Sequence, residues 1–127
     1  MGVLAVAGLH LPAVRRALDG PGFCGSCHVM SSQVESHLRS SHRDVPCGEC
    51  HLPRGLLRYP LAKAYAGGKD VLVLLAGSTP ETIRLAPGGQ KVVQENCLRC
   101  HGDMTPDTAA GKGYFCFDCH RQLPHGP

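Results

Sequence analysis

Four copies of the pattern C-x-x-C-H constrain this chain more than any other feature, and together they use all eight cysteines. The pattern attaches a c-type haem, and its histidine is the normal ligand of the haem iron. A zinc site made from two C-x-x-C pairs, or a disulfide framework, would also use an even number of cysteines, but neither calls for a histidine after every pair. We therefore predict four covalently bound haem c groups. Their attachment points are Cys24 and Cys27, Cys47 and Cys50, Cys97 and Cys100, and Cys116 and Cys119, and the motif histidines are His28, His51, His101 and His120.

The composition leaves little material for a protein core, because the 127 residues include three Phe, three Tyr and no Trp. The chain also has 16 Gly and 10 Pro, so long periodic helices are not expected to dominate. We predict one compact domain, or at most two lobes, whose interior is filled in part by something other than side chains. The formal net charge of +3 does not indicate a nucleic-acid partner, since Arg and Lys would neutralise the haem propionates.

The N-terminal run, residues 1–14, is apolar apart from His10. A helix that spans a bilayer needs about 20 apolar residues, and Pro12 interrupts this run. Three interpretations are open: the outer part of a membrane anchor whose start precedes this sequence, the remnant of a signal peptide, or a short interfacial helix. We favour the anchor, assign it residues 1–18, and place His10 in the anchor or at the membrane interface.

The remainder, residues 19–127, is the predicted tetrahaem cytochrome c domain. It consists of two di-haem lobes, residues 21–53 and 97–127, joined by a helical segment over residues 54–96. In this segment Pro60 suits the first turn of a helix, and the sequence "GSTP" at 77–80 ends it. Apolar residues follow at three- and four-residue steps and form one stripe. The stripe consists of Leu61, Tyr65, Gly68, Leu72 and Leu75.

Downstream of this helix the pattern predicts three further pieces. A short helix is expected near residues 80–86, with Pro80 in its first turn. The sequence "APGG" at 86–89 is expected to be a turn. A second helix is expected over "QKVVQENCLRCH", which leads into the third haem motif.

Each iron needs a second axial ligand unless that position stays open for chemistry. His42 lies five residues before the second motif, His125 lies five residues after the last motif histidine, and both are plausible ligands. His37 is either a ligand or, equally well, a surface or propionate-contacting residue. Met30 is a soft thioether donor next to the first motif, and Met104 is a less well placed alternative.

The connecting helix contributes two further polar candidates, Lys63 and Asp70. Seven residues apart, they lie on one helix face about 10 Å from each other, and that face is offset from the apolar stripe. Gly67 and Gly68 lie between them, where a flat macrocycle could approach the backbone closely. A solvated helix face is the alternative explanation.

Taken together, these residues resemble the NapC/NirT family of membrane-anchored tetrahaem quinol dehydrogenases, and within it the NrfH-type subunits of cytochrome c nitrite reductase complexes. The resemblance covers residues 20–125 and rests on "CGSCHVM", "SSHRDVPCGECHLP", "PLAKAYAGGKDV", "NCLRCH" and "YFCFDCHRQLPH". It implies a small, mostly α-helical fold with much loop, wrapped around four covalent haems and led by an N-terminal membrane anchor helix. The anchor is short in this chain.

The resemblance also implies the iron ligands. The first haem takes Met30, so that His28 is not a ligand, and Asp70 approaches the other side of that iron. The other three pairs are His51 with Lys63 on the second haem, His101 with His125 on the third, and His120 with His42 on the fourth.

The implied activity is oxidation of a quinol, menaquinol, in a pocket that Asp70 and Lys63 border, with Asp70 as the general base for a quinol proton. The chain would be an electron-transfer subunit in the cytoplasmic membrane with its haem domain on the periplasmic side. Its partner would be a periplasmic multihaem reductase, the catalytic subunit of cytochrome c nitrite reductase, which carries out the terminal reduction. Alternatives are a general quinol-oxidising hub for other periplasmic reductases, a soluble periplasmic electron shuttle, and a haem-free zinc-binding interaction module.

Overall fold

The computed structural model describes residues 2–105, 113–123 and 125, and this part of the chain consists of helices and connecting loops without strands. Two short 3-10 turns, His28–Met30 and Gly102–Met104, follow the first and third haem motifs. The mostly helical fold with loops is the predicted one. The α-helices are α1 (Gly2–Leu9), α2 (Pro12–Asp19), α3 (Pro21–Cys24), α4 (Ser31–Leu38), α5 (Cys47–His51), α6 (Arg58–Leu75), α7 (Pro87–His101) and α8 (Cys116–Cys119).

The predicted connecting helix is confirmed as α6, with Pro60 in its first turn. It ends where Gly77 adopts a positive φ of 61°, a conformation that glycine reaches without a steric penalty. The short helix predicted near 80–86 is wrong, because that stretch has no helical turn. The turn predicted at 86–89 is also wrong, since Pro87 begins α7 and Ala86 is its extended N-cap with ψ 154°. A residue before proline is driven out of the α region, which separates 80–86 from the helix that follows.

The N-terminal run forms two helices, because Pro12 lacks the amide hydrogen that would continue α1 and instead occupies the first turn of α2. In α2 the charged residues Arg15 and Asp19 recur on one face and point into the domain, where they form an ion pair at 3.5 Å. Over the described residues no helix combines the length and apolar character that a membrane crossing requires.

The protein core is very small. Among the described residues Tyr59 is the one buried large hydrophobic side chain, 1% exposed, and the buried polar side chains are Asp19, His37 and Asn96. The modest core predicted from the composition is confirmed for the described residues.

Candidate haem-binding site

Three of the four haem motifs lie on α-helices: the second forms α5, the third ends α7 and the fourth forms α8. The first begins at the end of α3, and its Cys27 is extended before the 3-10 turn that contains His28. On a helical turn, cysteines at positions i and i+3 project from the same side, about one turn apart. This placement suits two thioether bonds to one macrocycle, and the motif histidine follows immediately.

The structure places successive motifs beside one another in chain order. The Cys24 thiol of the first motif neighbours Cys47 of the second, and this proximity raises the pKa of Cys24 and lowers the pKa of Cys47 to about 7. Burial, together with the neighbouring Cys100 of the third motif, raises the pKa of Cys50. Burial, together with Cys116 of the fourth motif, raises the pKa of Cys97 to about 11. The motifs therefore form a continuous series, first to second to third to fourth.

Helix α7 holds the second motif against the third through side-chain hydrogen bonds. The amide of Asn96 donates to the carbonyl oxygens of Cys50 at 2.9 Å and Leu52 at 3.0 Å. Arg99 donates to the carbonyl oxygen of Glu49 at 3.0 Å. The sequence analysis missed Asn96, since nothing local distinguishes it from any polar helix residue.

Three pairs of histidine rings lie at a spacing that suits iron ligation. The ring centroids are 6.0 Å apart for His42 and His101, 5.9 Å for His51 and His125, and 6.2 Å for His37 and His125. Two imidazoles that bind one metal from opposite sides, each at about 2 Å, have ring centres roughly 6 Å apart. This spacing is compatible with axial positions on a haem iron, and His125, which belongs to two of the pairs, can complete only one of them.

The hydrogen bonds of these histidines leave ring nitrogens available. Nδ1 of His125 contacts the carbonyl oxygen of Gln33 at 3.0 Å, which fixes the ring and leaves Nε2 free. His37 is 3% exposed and its Nε2 has no hydrogen-bond partner, so the surface alternative considered for His37 is wrong. Desolvation by the surrounding protein lowers the pKa values of both His51 and His125, which favours the neutral imidazole that a metal requires. This donor set fits haem.

These contacts differ in part from the expected ligand pairs. The ring of His42 lies against His101, although the resemblance paired it with His120. The ring of His125 lies against His51 and His37, although the resemblance paired it with His101. The expected pairs remain predictions beside this arrangement.

Lys63 belongs to a buried polar cluster around Asp19, a residue that the sequence analysis missed. Asp19 is 2% exposed, and its Oδ1 accepts a hydrogen bond of 2.7 Å from Lys63. The Tyr59 hydroxyl lies 3.0 and 2.9 Å from the two carboxylate oxygens. Lys63 also donates to the carbonyl oxygen of Leu18 at 2.7 Å. The guanidinium of Arg15 completes the cluster, 4.5 Å above the Tyr59 ring.

The Asp19 cluster touches both of the first two motifs. The ammonium of Lys63 lies 5.0 Å from the ring centre of Phe23, the residue before Cys24. A Cβ added to Gly48, inside the second motif, would lie 2.5 Å from the Asp19 carboxyl carbon, so only glycine allows this approach. Lys63 is therefore placed where the first and second motifs meet.

The other predicted site residues lie on the surface or at its edge. Asp70 is exposed on α6, Met30 is half-buried, and His28 and Met104 are exposed. His10 contacts the haem domain: its Nε2 lies 3.0 Å from the Leu56 carbonyl oxygen and its ring centroid lies 5.5 Å from that of Tyr59.

The eight cysteines form no disulfide with one another. Over residues 2–105, 113–123 and 125, no three His, Cys, Asp or Glu side chains converge to hold a metal ion.

The comparisons with known proteins agree on one family. Residues 1–107 match the model for the N-terminal region of the NapC/NirT cytochrome c family. The chain is 32% identical to cytochrome c nitrite reductase subunit NrfH of Nitratidesulfovibrio vulgaris, over 98% of this chain and 78% of the relative. It is 30% identical to cytochrome c-type protein NrfH of Wolinella succinogenes, over 84% and 68%. A chain in the crystal structure of the cytochrome c nitrite reductase NrfHA complex bound to the HQNO inhibitor matches with a TM-score of 0.86 and 32% identity, over 98% of this chain and 85% of that chain.

Proposed function

This chain belongs to the NapC/NirT cytochrome c family, and on that premise we propose that it oxidises menaquinol and delivers the electrons to a periplasmic reductase. The observation that carries the proposal is the placement of successive motifs beside one another. Cys24 neighbours Cys47, Asn96 and Arg99 of α7 bind the backbone of the second motif, and Cys97 neighbours Cys116. Four haems bound at these motifs would supply single-electron acceptors and donors in close succession. A chain with isolated motifs would lack such a path.

We assign Met30 as the ligand of the first haem, and His51 and Lys63 as the ligands of the second. His101 and His125 serve the third haem, and His120 and His42 the fourth. The thioether of Met30 raises the potential of the entry haem relative to a bis-histidine site. The contact of Lys63 with Asp19 means that this lysine must exchange a carboxylate partner for the iron.

The quinol pocket is proposed on the Lys63 and Asp70 side of α6. Asp70 is exposed and not engaged by a described ion pair, so it is available to take a proton from a quinol hydroxyl. Lys63, half-buried and held by Asp19 and Leu18, forms the inner border of the pocket.

The proposed partner is the catalytic subunit of cytochrome c nitrite reductase. Two similar relatives are named NrfH, and the similar solved structure is a nitrite reductase NrfHA complex. The proposed location is the cytoplasmic membrane with the haem domain on the periplasmic side. Affinity purification from membranes followed by mass spectrometry should recover a multihaem reductase, and recovery of reductases of other classes only would refute this partner.

The pocket assignment is tested by Asp70→Asn. We expect reduction of the haems by a menaquinol analogue to slow by about 100-fold, the scale of a lost general base, with dithionite reduction unchanged. Asp44→Asn is the matched control, since the Asp44 side chain is 93% exposed on a loop. Full quinol-dependent reduction in the Asp70 variant would exclude the proton-acceptor role.

A further inference from the structure

Helix α6 presents its apolar stripe to the outside of the molecule. The four large side chains of the stripe are all more exposed than buried: Leu61 is 68% exposed, Tyr65 76%, Leu72 68% and Leu75 79%. Single exposed leucines are common on protein surfaces, but a continuous apolar face along one helix marks a site of interaction.

In the first half of α6 the polar side faces the domain. Tyr59 is buried and Lys63 reaches Asp19, so these two residues define the inward face there, whereas Asp70 on the same side of the second half is exposed. At about 100° per residue, Leu61, Tyr65 and Leu72 project roughly opposite to them. The first two motifs lie on the Lys63 side, and the stripe therefore points away from the haem motifs nearest to α6.

The stripe is continuous with the apolar N-terminal segment. Helix α1 ends at Leu9, and the next residue, His10, contacts the carbonyl oxygen of Leu56 just before α6 begins. Leu56 and Leu57 are themselves 67% and 62% exposed. The end of an apolar helix and the start of an outward apolar face thus meet at one point of the surface.

Basic and aromatic residues border the stripe in the way that a lipid surface favours. Arg58 and Lys69 are exposed on the rim beside Tyr65, and neither makes an ion pair within the described part of the chain. Amphipathic aromatic rings such as tyrosine are enriched at the depth of lipid headgroups. Basic side chains beside an apolar helix face are attracted to anionic headgroups.

We propose that the outward face of α6 lies in the interfacial layer of an anionic membrane, with Leu61, Leu72 and Leu75 among the upper acyl carbons and Arg58 and Lys69 at the headgroups. This inference rests on the membrane association of the proposed function and adds a second lipid contact beside the N-terminal segment.

The test uses the haem-loaded full chain and vesicles of phosphatidylcholine and phosphatidylglycerol. Because haem attachment consumes all eight cysteines, a cysteine introduced by Tyr65→Cys or Leu72→Cys is a unique site for a nitroxide spin label. On vesicles we expect both labels to gain collisions with oxygen and to lose collisions with a water-soluble nickel complex. A label at Glu35→Cys, at an exposed position of α4, should keep its access to nickel.

Three outcomes overturn the proposal. Labels that stay accessible to nickel on vesicle-bound protein would show a solvated stripe. Labels protected without vesicles, with spin–spin broadening, would show a second copy of the chain on the stripe. A chain that does not bind the vesicles at all would have no such contact. Quinol-dependent reduction in detergent, measured on the same preparation, reports separately on the proposed function.

A charge test accompanies the labels. Arg58→Gln and Lys69→Gln should each weaken vesicle binding about fivefold at low salt, as expected for one basic residue at an anionic surface. Lys91→Gln, an exposed lysine on α7, should have no effect. Equal binding by all three variants and the parent would contradict the proposed orientation.

Discussion

Replacing Asp19 by alanine should destabilise the haem-loaded protein strongly. The carboxylate is 2% exposed and accepts hydrogen bonds from Tyr59 and Lys63, with Arg15 at 3.5 Å. Its removal leaves the buried Tyr59 hydroxyl without its acceptor and the Arg15 guanidinium without its carboxylate partner, and neither contact depends on Lys63. Breaking a buried charge pair costs about 3–5 kcal/mol, and because the Arg15 side chain is 16% exposed we take the lower end, about 3 kcal/mol.

For a domain of this size a loss of about 3 kcal/mol lowers the thermal midpoint by roughly 10 °C. The assay is thermal unfolding followed by circular dichroism in the haem Soret band, with Asp44→Ala as the exposed control. Asp19→Asn should have a smaller effect, because the amide oxygen still accepts a hydrogen bond from Tyr59. If Asp19→Ala and the control unfold within a degree or two of the parent, the cluster does not stabilise the haem-loaded protein and the reasoning is refuted.

Three further predictions concern the motifs and their ligands. Asn96→Ala should lower the same midpoint by several degrees, since the carbonyl oxygens of Cys50 and Leu52 lose their donor; Asn96→Asp should not restore it, and an unchanged midpoint would exclude this role. His125→Met should convert one bis-histidine haem to a histidine–methionine haem in near-infrared magnetic circular dichroism, whereas His37→Phe should leave the bis-histidine signal intact; the reverse result would make His37 the ligand. Met30→Ala should change the spectrum of the first haem and His28→Ala should not, so equal spectra for both variants would count against Met30 as a ligand.

The features that could be predicted from the sequence are those that depend on local pattern. The C-x-x-C-H motifs identify their own chemistry, and the period of the connecting segment identified α6 with its stripe. The helix predicted near 80–86 is wrong. Pro80 would have suited its first turn, but Pro87 holds Ala86, the last residue of the stretch, in an extended conformation.

Contacts between residues far apart in the chain could not be predicted from the sequence. Asp19 meets Lys63 across 44 positions and Asn96 meets Cys50 across 46, and neither residue carries a local sign of its partner. Periodicity also showed which residues of α6 share a face without showing which face points outward. The burial of His37 depends on its packing beside His125, at the other end of the chain.

The most direct test of the account is reduction of the purified, haem-loaded full chain by a menaquinol analogue, followed in the haem α-band and normalised to the pyridine haemochrome content. The account predicts four haems per chain and rapid reduction by the quinol, which Asp70→Asn slows by about 100-fold. Four haems that dithionite reduces and the quinol does not would contradict it.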